Sequence, residues 1–222
     1  FVFSGETEEE CTQKASSCDY SSYASIHPTV SEERQDDFYS LLRMPTLIQI
    51  MIEITKICNE RCLHCYIPHK DKNSLISYCD ITDIIQQCKE IGTVVEFKIS
   101  GGECMTHPDF RKIIRQIKDA GFALTLLTNL TLLDDETIDI LKDGSLSSVQ
   151  VSLFSLNPDV HDTITTKSGS LETTLRNLER LKSAKIPVSI ATQVMELNKD
   201  SIADLFAFCE KNGFRFLCDW TI

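Results

Sequence analysis

The chain has 222 residues, 42% hydrophobic and 25% charged, with only 8 Gly and 6 Pro; these are globular proportions that exclude collagen, coiled coil and low-complexity disorder. Its 33 acidic against 22 basic side chains leave a net charge of −11, and a nucleic-acid partner would need clustered Lys and Arg to neutralise phosphates. A bilayer span needs roughly 20 apolar residues, whereas the longest candidate, 122–133, is broken by Thr125, Thr128, Asn129 and Thr131, so neither nucleic acid nor membrane is expected as a partner.

The sequence opens on Phe1, without an initiator Met, and residues 1–6 lack the basic start and apolar stretch of a secretory signal. It reads as a piece of a longer cytoplasmic protein. Residues 1–45 carry nine acidic against three basic side chains, a net of −6, with Ser-rich runs and little periodicity. They are expected to form an irregular acidic N-terminal arm or the remnant of an upstream domain, distinct from the domain over 46–222.

From Leu47 the pattern changes to short apolar runs alternating with amphipathic stretches. Strands are predicted at 47–54, 94–99, 122–127, 148–153, 187–194 and 214–218, and helices at 80–91, 109–120, 134–142, 170–184 and 200–211. Ile113, Ile114 and Ile117 share one helical face, as do Leu171, Leu175, Leu178 and Leu181. Asp80, Asp134 and Ser170 suit N-caps, and Gly121 and Gly213 suit the left-handed position after a helix. Strands alternating with helices, with no hairpin signal between them, imply an α/β fold with a parallel sheet. Six strands fit a partial (β/α)6 TIM-like barrel better than a closed eight-stranded one. The sixth strand falls at the end of the sequence, so a final helix and further sequence are expected beyond it.

In such barrels the functional site lies in the loops after the strands. Strand one runs into Cys58-Asn59-Glu60-Arg61-Cys62-Leu63-His64-Cys65, which is Cys-x3-Cys-x2-Cys. Three thiolates this close can wrap one metal centre and leave a coordination position open. By themselves they fit an iron–sulfur cluster, a zinc site completed by His64 or His69, or three unligated thiols. The second motif, Ser100-Gly101-Gly102-Glu103, ends strand two on the same barrel face. Its glycines would let backbone approach a ligand closely, and its carboxylate could accept hydrogen bonds from an ammonium group. Cys79, Cys88 and Cys209 read as packing residues, and His27 and His107, each before a proline, need no catalytic role.

Together these motifs resemble the radical S-adenosylmethionine (SAM) superfamily, over about residues 47–218. The resemblance implies that Cys58, Cys62 and Cys65 hold three irons of a [4Fe-4S] cluster, while SAM chelates the fourth iron through its methionine part, with Glu103 and the Gly101-Gly102 backbone at its amino group. It further implies reductive cleavage of SAM to a 5′-deoxyadenosyl radical, so that the radical, not a side chain, abstracts the substrate hydrogen. Ile54-Thr55, Cys65-Tyr66, Cys104 with His107-Pro108-Asp109-Phe110, Thr128-Asn129, Val151-Ser152-Leu153, His161-Asp162 and Gly169-Ser170 resemble the peptide- and protein-modifying subgroup. In that subgroup Ser152 would contact the cofactor ribose, Asn129 would lie near it, and the backbone about Gln193 would flank the adenine; Tyr66 and Ser100 belong to the same cofactor-binding set.

The subgroup implies a ribosomal precursor peptide as substrate, a one-electron donor such as flavodoxin or ferredoxin, and a SPASM or twitch domain with auxiliary [4Fe-4S] clusters beyond residue 222. One departure stands out. The subgroup's Arg that meets the methionine carboxylate is replaced here by Thr165, and Lys167 is the available point charge. The alternatives are a radical SAM enzyme acting on a small metabolite or RNA, and a zinc-binding module without catalysis; negative charge disfavours RNA, and the Gly-Gly-Glu segment disfavours the zinc module.

Overall fold

The computed structural model describes residues 47–67, 74–142 and 147–219; the arm expected over 1–45 lies outside the described residues, and so does His69. Strands β1 (Gln49–Thr55), β2 (Glu96–Gly101), β3 (Ala123–Thr128), β4 (Ser147–Ser152), β5 (Val188–Gln193) and β6 (Arg215–Asp219) form one sheet in the order β1-β2-β3-β4-β5-β6. Every neighbouring pair is parallel. With β1 and β6 as its two edges, the sheet is an open, partial barrel, as the spacing of strands and helices predicts.

Helices α1 (Tyr78–Ile91), α2 (Phe110–Asp119), α3 (Asp135–Lys142), α4 (Pro158–Thr165), α5 (Ser170–Ser183) and α6 (Ile202–Asn212) connect the strands. Alternation along each strand sends one set of side chains outward to them. Ile52, Ile54, Phe97, Ile99, Leu124, Leu126, Val149, Val151 and Ile190 are buried in one continuous core, which the helices complete with Ile81, Ile113, Ile117, Leu178, Leu181 and Leu205.

Local chemistry sets the helix ends, with some shifts from the sequence reading. Ser77, not Asp80, caps α1: its hydroxyl accepts from the Asp80 amide at 3.1 Å. Asp134 accepts from the Thr137 amide at 2.8 Å and so caps α3. Gly169, at φ 76°, occupies the cap position of α5, which frees the Ser170 hydroxyl for the site described below. Helix α4 has no counterpart in the sequence reading. Asn157 caps it and Pro158 opens it, a start signal that eight residues of mixed pattern obscured.

The opposite face of the sheet is mostly polar, with Met51, Leu127 and Ala191 among its apolar members. Glu53, Lys98, Thr125, Gln150, Ser152 and Gln193 lie on it, the positions that alternate with the core residues above. A closed barrel packs this face as core; here its composition suits water or a polar ligand. Among the described residues, no helix is long and apolar enough to cross a membrane.

The core rests on its largest buried side chains, and Phe97 is fully buried with its ring 4.9 Å from that of Phe122. Phe97→Ala should therefore cost about 3–5 kcal/mol. Urea unfolding of the cluster-free protein measures this, and a loss below about 1 kcal/mol would contradict the packing described.

Candidate active site

A cavity of about 470 Å³ lies at the C-terminal ends of β1 to β5. Cys58, Cys62 and Cys65 open into it together with Ser100, Gly101, Gly102, Asn129, Ser152, Gln193 and Tyr66. The structure thus brings these expected site residues together; Glu103 and Lys167 do not line the cavity.

The cysteine loop follows a register shift at the end of β1, between Glu53 and Thr55. Two strand-end amides fasten it: Gly102 donates to the Thr55 carbonyl at 2.8 Å and Glu103 to the Ile57 carbonyl at 2.9 Å. Such contact needs glycine. A Cβ on Gly101 would sit 2.2 Å from the Thr55 oxygen, and one on Gly102 would sit 2.5 Å from the Ile57 oxygen; Gly101 also has φ 142°. The sequence reading gave the missing side chains to a ligand's approach. The structure gives them first to the approach of the cysteine loop.

Glu103 is fully buried and does not line the cavity. Its carboxylate accepts from the Met105 amide at 3.1 Å, the Asn129 amide at 2.8 Å and the Thr128 hydroxyl at 2.8 Å. Burial pushes its pKa up, while these donors pull against that shift. The carboxylate expected from the sequence to meet an ammonium group is thus engaged by protein donors in this structure. Glu103 instead ties the end of β2 to the end of β3.

Two further networks hold the loop. The Asn129 side-chain amide donates to Asn59 Oδ1 at 2.9 Å, and Asn59 Nδ2 donates to the Thr131 hydroxyl at 2.8 Å. On the other side, the Arg61 and Leu63 amides donate to the Thr165 and Ile164 carbonyls at 3.2 and 2.9 Å, at the end of α4. Thr165 thus meets the cysteine loop through its backbone. Glu60, buried within the motif, lines the cavity and accepts from Ser170 Oγ at 2.5 Å. Desolvation raises its pKa, with Ser170 and the charge of Lys167 acting in opposition.

Behind Ser170 stands His161, buried, with its pKa lowered by desolvation to about 4. The Phe154 amide donates to its Nδ1 at 3.2 Å, so the neutral ring carries its proton on Nε2, 3.5 Å from Ser170 Oγ. Glu60 and Phe154 escaped the sequence reading as site residues. An acidic residue between two ligand-type cysteines was the one available sign for Glu60; nothing local marked Phe154, which packs edge-on to His64 at 4.8 Å.

The donor set suits an iron–sulfur cluster. Burial, then Glu60, pushes the Cys62 thiol up to about 12, and a cationic metal would favour its thiolate. Among the described residues, no three His, Cys, Asp or Glu side chains are grouped to hold a single metal ion. A cluster with one iron per thiolate does not require such convergence.

Fold and site define a cofactor-binding α/β-barrel protein with a thiol-lined cavity at its strand ends. The chain belongs to the radical SAM superfamily, whose family model matches residues 52–209. That family works with a [4Fe-4S] cluster and SAM. Curated relatives include the AdoMet-dependent heme synthase of Methanosarcina barkeri, 31% identical over 72% of this chain and 46% of its own length, and the probable GTP 3′,8-cyclase of Methanothermobacter marburgensis, 32% identical over 75% of this chain and 55% of its own. The chain spans about half the length of these relatives.

Among solved structures, SuiB of Streptococcus suis bound to its precursor peptide SuiA matches 95% of this chain and 50% of its own, at TM-score 0.72 and 17% identity. The enzyme anSMEcpe with bound AdoMet and a peptide matches 77% of this chain and 50% of its own, at TM-score 0.64 and 17% identity. At such identities the likeness is one of fold.

Two outcomes follow from this geometry. Glu103→Gln turns an amide nitrogen toward N–H and O–H donors, so the cofactor-free protein should lose about 1–3 kcal/mol; an unchanged melting temperature would contradict the clamp. His161 should titrate with a midpoint near 4 by NMR. Its unfolded value is about 6.5, so the neutral ring's contribution is intact above that pH and is lost as pH falls toward 4, by about 3 kcal/mol. A midpoint near 6.5 would contradict its burial.

Proposed function

We propose that the chain is the catalytic core of a radical SAM enzyme that modifies a peptide, with Cys58, Cys62 and Cys65 each holding one iron of a [4Fe-4S] cluster. The observation that supports this is the meeting of all three thiols with Ser100 and the Gly101-Gly102 backbone in one cavity. Three thiolates leave one iron for a non-protein ligand, and the family's SAM fills that place. When bound, the pair supplies a one-electron reductive cleavage that ends in removal of a hydrogen atom from the substrate.

The chain's own residues bind, orient and exclude water. Ser100 and the glycine backbone would face the methionine end of the cofactor, and Lys167 would supply the charge that Thr165 lacks. Asn129, Ser152 and Gln193, at the ends of β3, β4 and β5, would line its ribose and adenine. Tyr66, whose hydroxyl donates to Glu53, and the apolar Phe154 and Ile67 would wall the site. Flavodoxin or ferredoxin in the cytoplasm would deliver the electron.

The peptide is supported by the subgroup motifs and by two fold neighbours that hold peptides, SuiB and anSMEcpe. A second reading, a small-molecule substrate, is favoured by the heme synthase and GTP cyclase relatives. A nucleoside triphosphate fits poorly with the inner face of this chain. Strand alternation places Glu53, Glu96 and Asp219 there against Lys98 and Arg215, and a triphosphate asks for a surplus of cations.

Anaerobic reconstitution should give about four iron and four sulfide per chain, lost in the triple Cys→Ala variant. Stoichiometric zinc without a brown chromophore would contradict the cluster. With reductant and SAM, the full-length enzyme should move deuterium from a labelled precursor peptide into 5′-deoxyadenosine. Transfer from GTP, with the peptide untouched, would favour the second reading.

A further inference from the structure

Below the candidate cavity, the inner face of the barrel holds a cation that no described residue engages. Lys98 stands on β2 one alternation before Ser100, which lines the cavity. Two residues of strand amount to roughly 6–7 Å, so Lys98 lies one layer deeper than the cofactor site. In register it stands between Met51 of β1 and Thr125 of β3. Its neighbours on the core side of the strand, Phe97 and Ile99, are fully buried, which fixes Lys98 on the inner face.

Nearby carboxylates are already used. Glu96 Oε1 accepts from Thr125 Oγ1 at 2.5 Å, and its Oε2 accepts from the Gln49 side-chain amide. Thr125 in turn meets Ser148 Oγ at 2.7 Å, so the row from β1 to β4 is closed upon itself. Glu53 accepts from the Tyr66 hydroxyl at the rim. Lys98 is half-buried, and among the described residues its side chain makes no hydrogen bond and no ion pair. Its ammonium thus offers three idle donors on the inner face, which an anionic group would satisfy. Arg215, the other inner cation, is exposed on the edge strand β6.

From this we infer that Lys98 is a specificity-determining residue that anchors a carboxylate of the peptide substrate, an Asp or Glu side chain or the chain terminus, one layer below the cofactor. The inference rests on the peptide reading above. One ammonium matches one carboxylate; it does not match a triphosphate on a face that also carries Glu53, Glu96 and Asp219. The anchoring carboxylate would set which residue of the peptide stands next to the cofactor, since it fixes the register of the segment in the barrel.

The test is to pan a displayed library of random peptides anaerobically against the full-length enzyme loaded with cluster and SAM, beside Lys98→Gln, Lys98→Arg and Lys98→Glu. The wild type should enrich Asp or Glu at one position, or a free C-terminal carboxylate, by about tenfold, the scale of one charge-assisted hydrogen bond. Lys98→Arg should keep that preference and Lys98→Gln should lose it. Lys98→Glu should exchange it for Lys or Arg. Iron content and melting temperature identify any variant that fails to fold, and the charge-conserving Lys98→Arg with the wild type still decides the result. Peptides enriched without an acidic group, or with one preference unchanged across all folded variants, would overturn the inference and leave the peptide reading standing. Failure of the wild type to enrich any peptide, together with saturable GTP binding, would overturn both.

Discussion

The arrangement of this site depends on a close backbone contact between the end of β2 and the loop leaving β1. Gly101 and Gly102 present no Cβ where the Thr55 and Ile57 carbonyls must pass, and the amides of Gly102 and Glu103 bond those same two carbonyls. The three cysteines lie in the residues that immediately follow. Their placement over the barrel thus follows from a contact in which side chains are excluded, and the Gly-Gly-Glu segment fastens the cysteine loop.

Buried polar groups extend that contact into a frame. Glu103 joins β2 to the end of β3 through the Thr128 hydroxyl and the Asn129 amide, Asn129 joins β3 to Asn59 of the cysteine loop, and Glu60 joins the loop to Ser170 and, through it, His161 at α5 and α4. Each of these groups is costly to bury alone and stabilising when satisfied. The loop is therefore held from three sides, which keeps three thiols in one cavity.

The fold was legible in the sequence because its signals are long-range and redundant. Apolar alternation in each strand and the isoleucine face of α2 agree with each other, so strand number, parallel order and openness could be read. Cys-x3-Cys-x2-Cys and Gly-Gly-Glu were legible for a related reason, since strand ends of a barrel meet at one rim. What escaped was decided by tertiary contact. Whether the Glu103 carboxylate faces cavity or core depends on Thr128 and Asn129, about 25 residues away, and the burial of Glu60 depends on Ser170, 110 residues away. Helix α4 was hidden because its length is short and its apolar face narrow, although Asn157-Pro158 marked its start.

The most direct test is electron paramagnetic resonance of the reduced, reconstituted protein with and without SAM, in wild type and Gly102→Ala. If the glycine contact aligns the cysteine loop with the cofactor cavity, the wild-type cluster signal shifts when SAM is added, and the variant, with comparable iron content, shows no shift. A Gly102→Ala protein whose cluster responds to SAM as the wild type does would contradict the account.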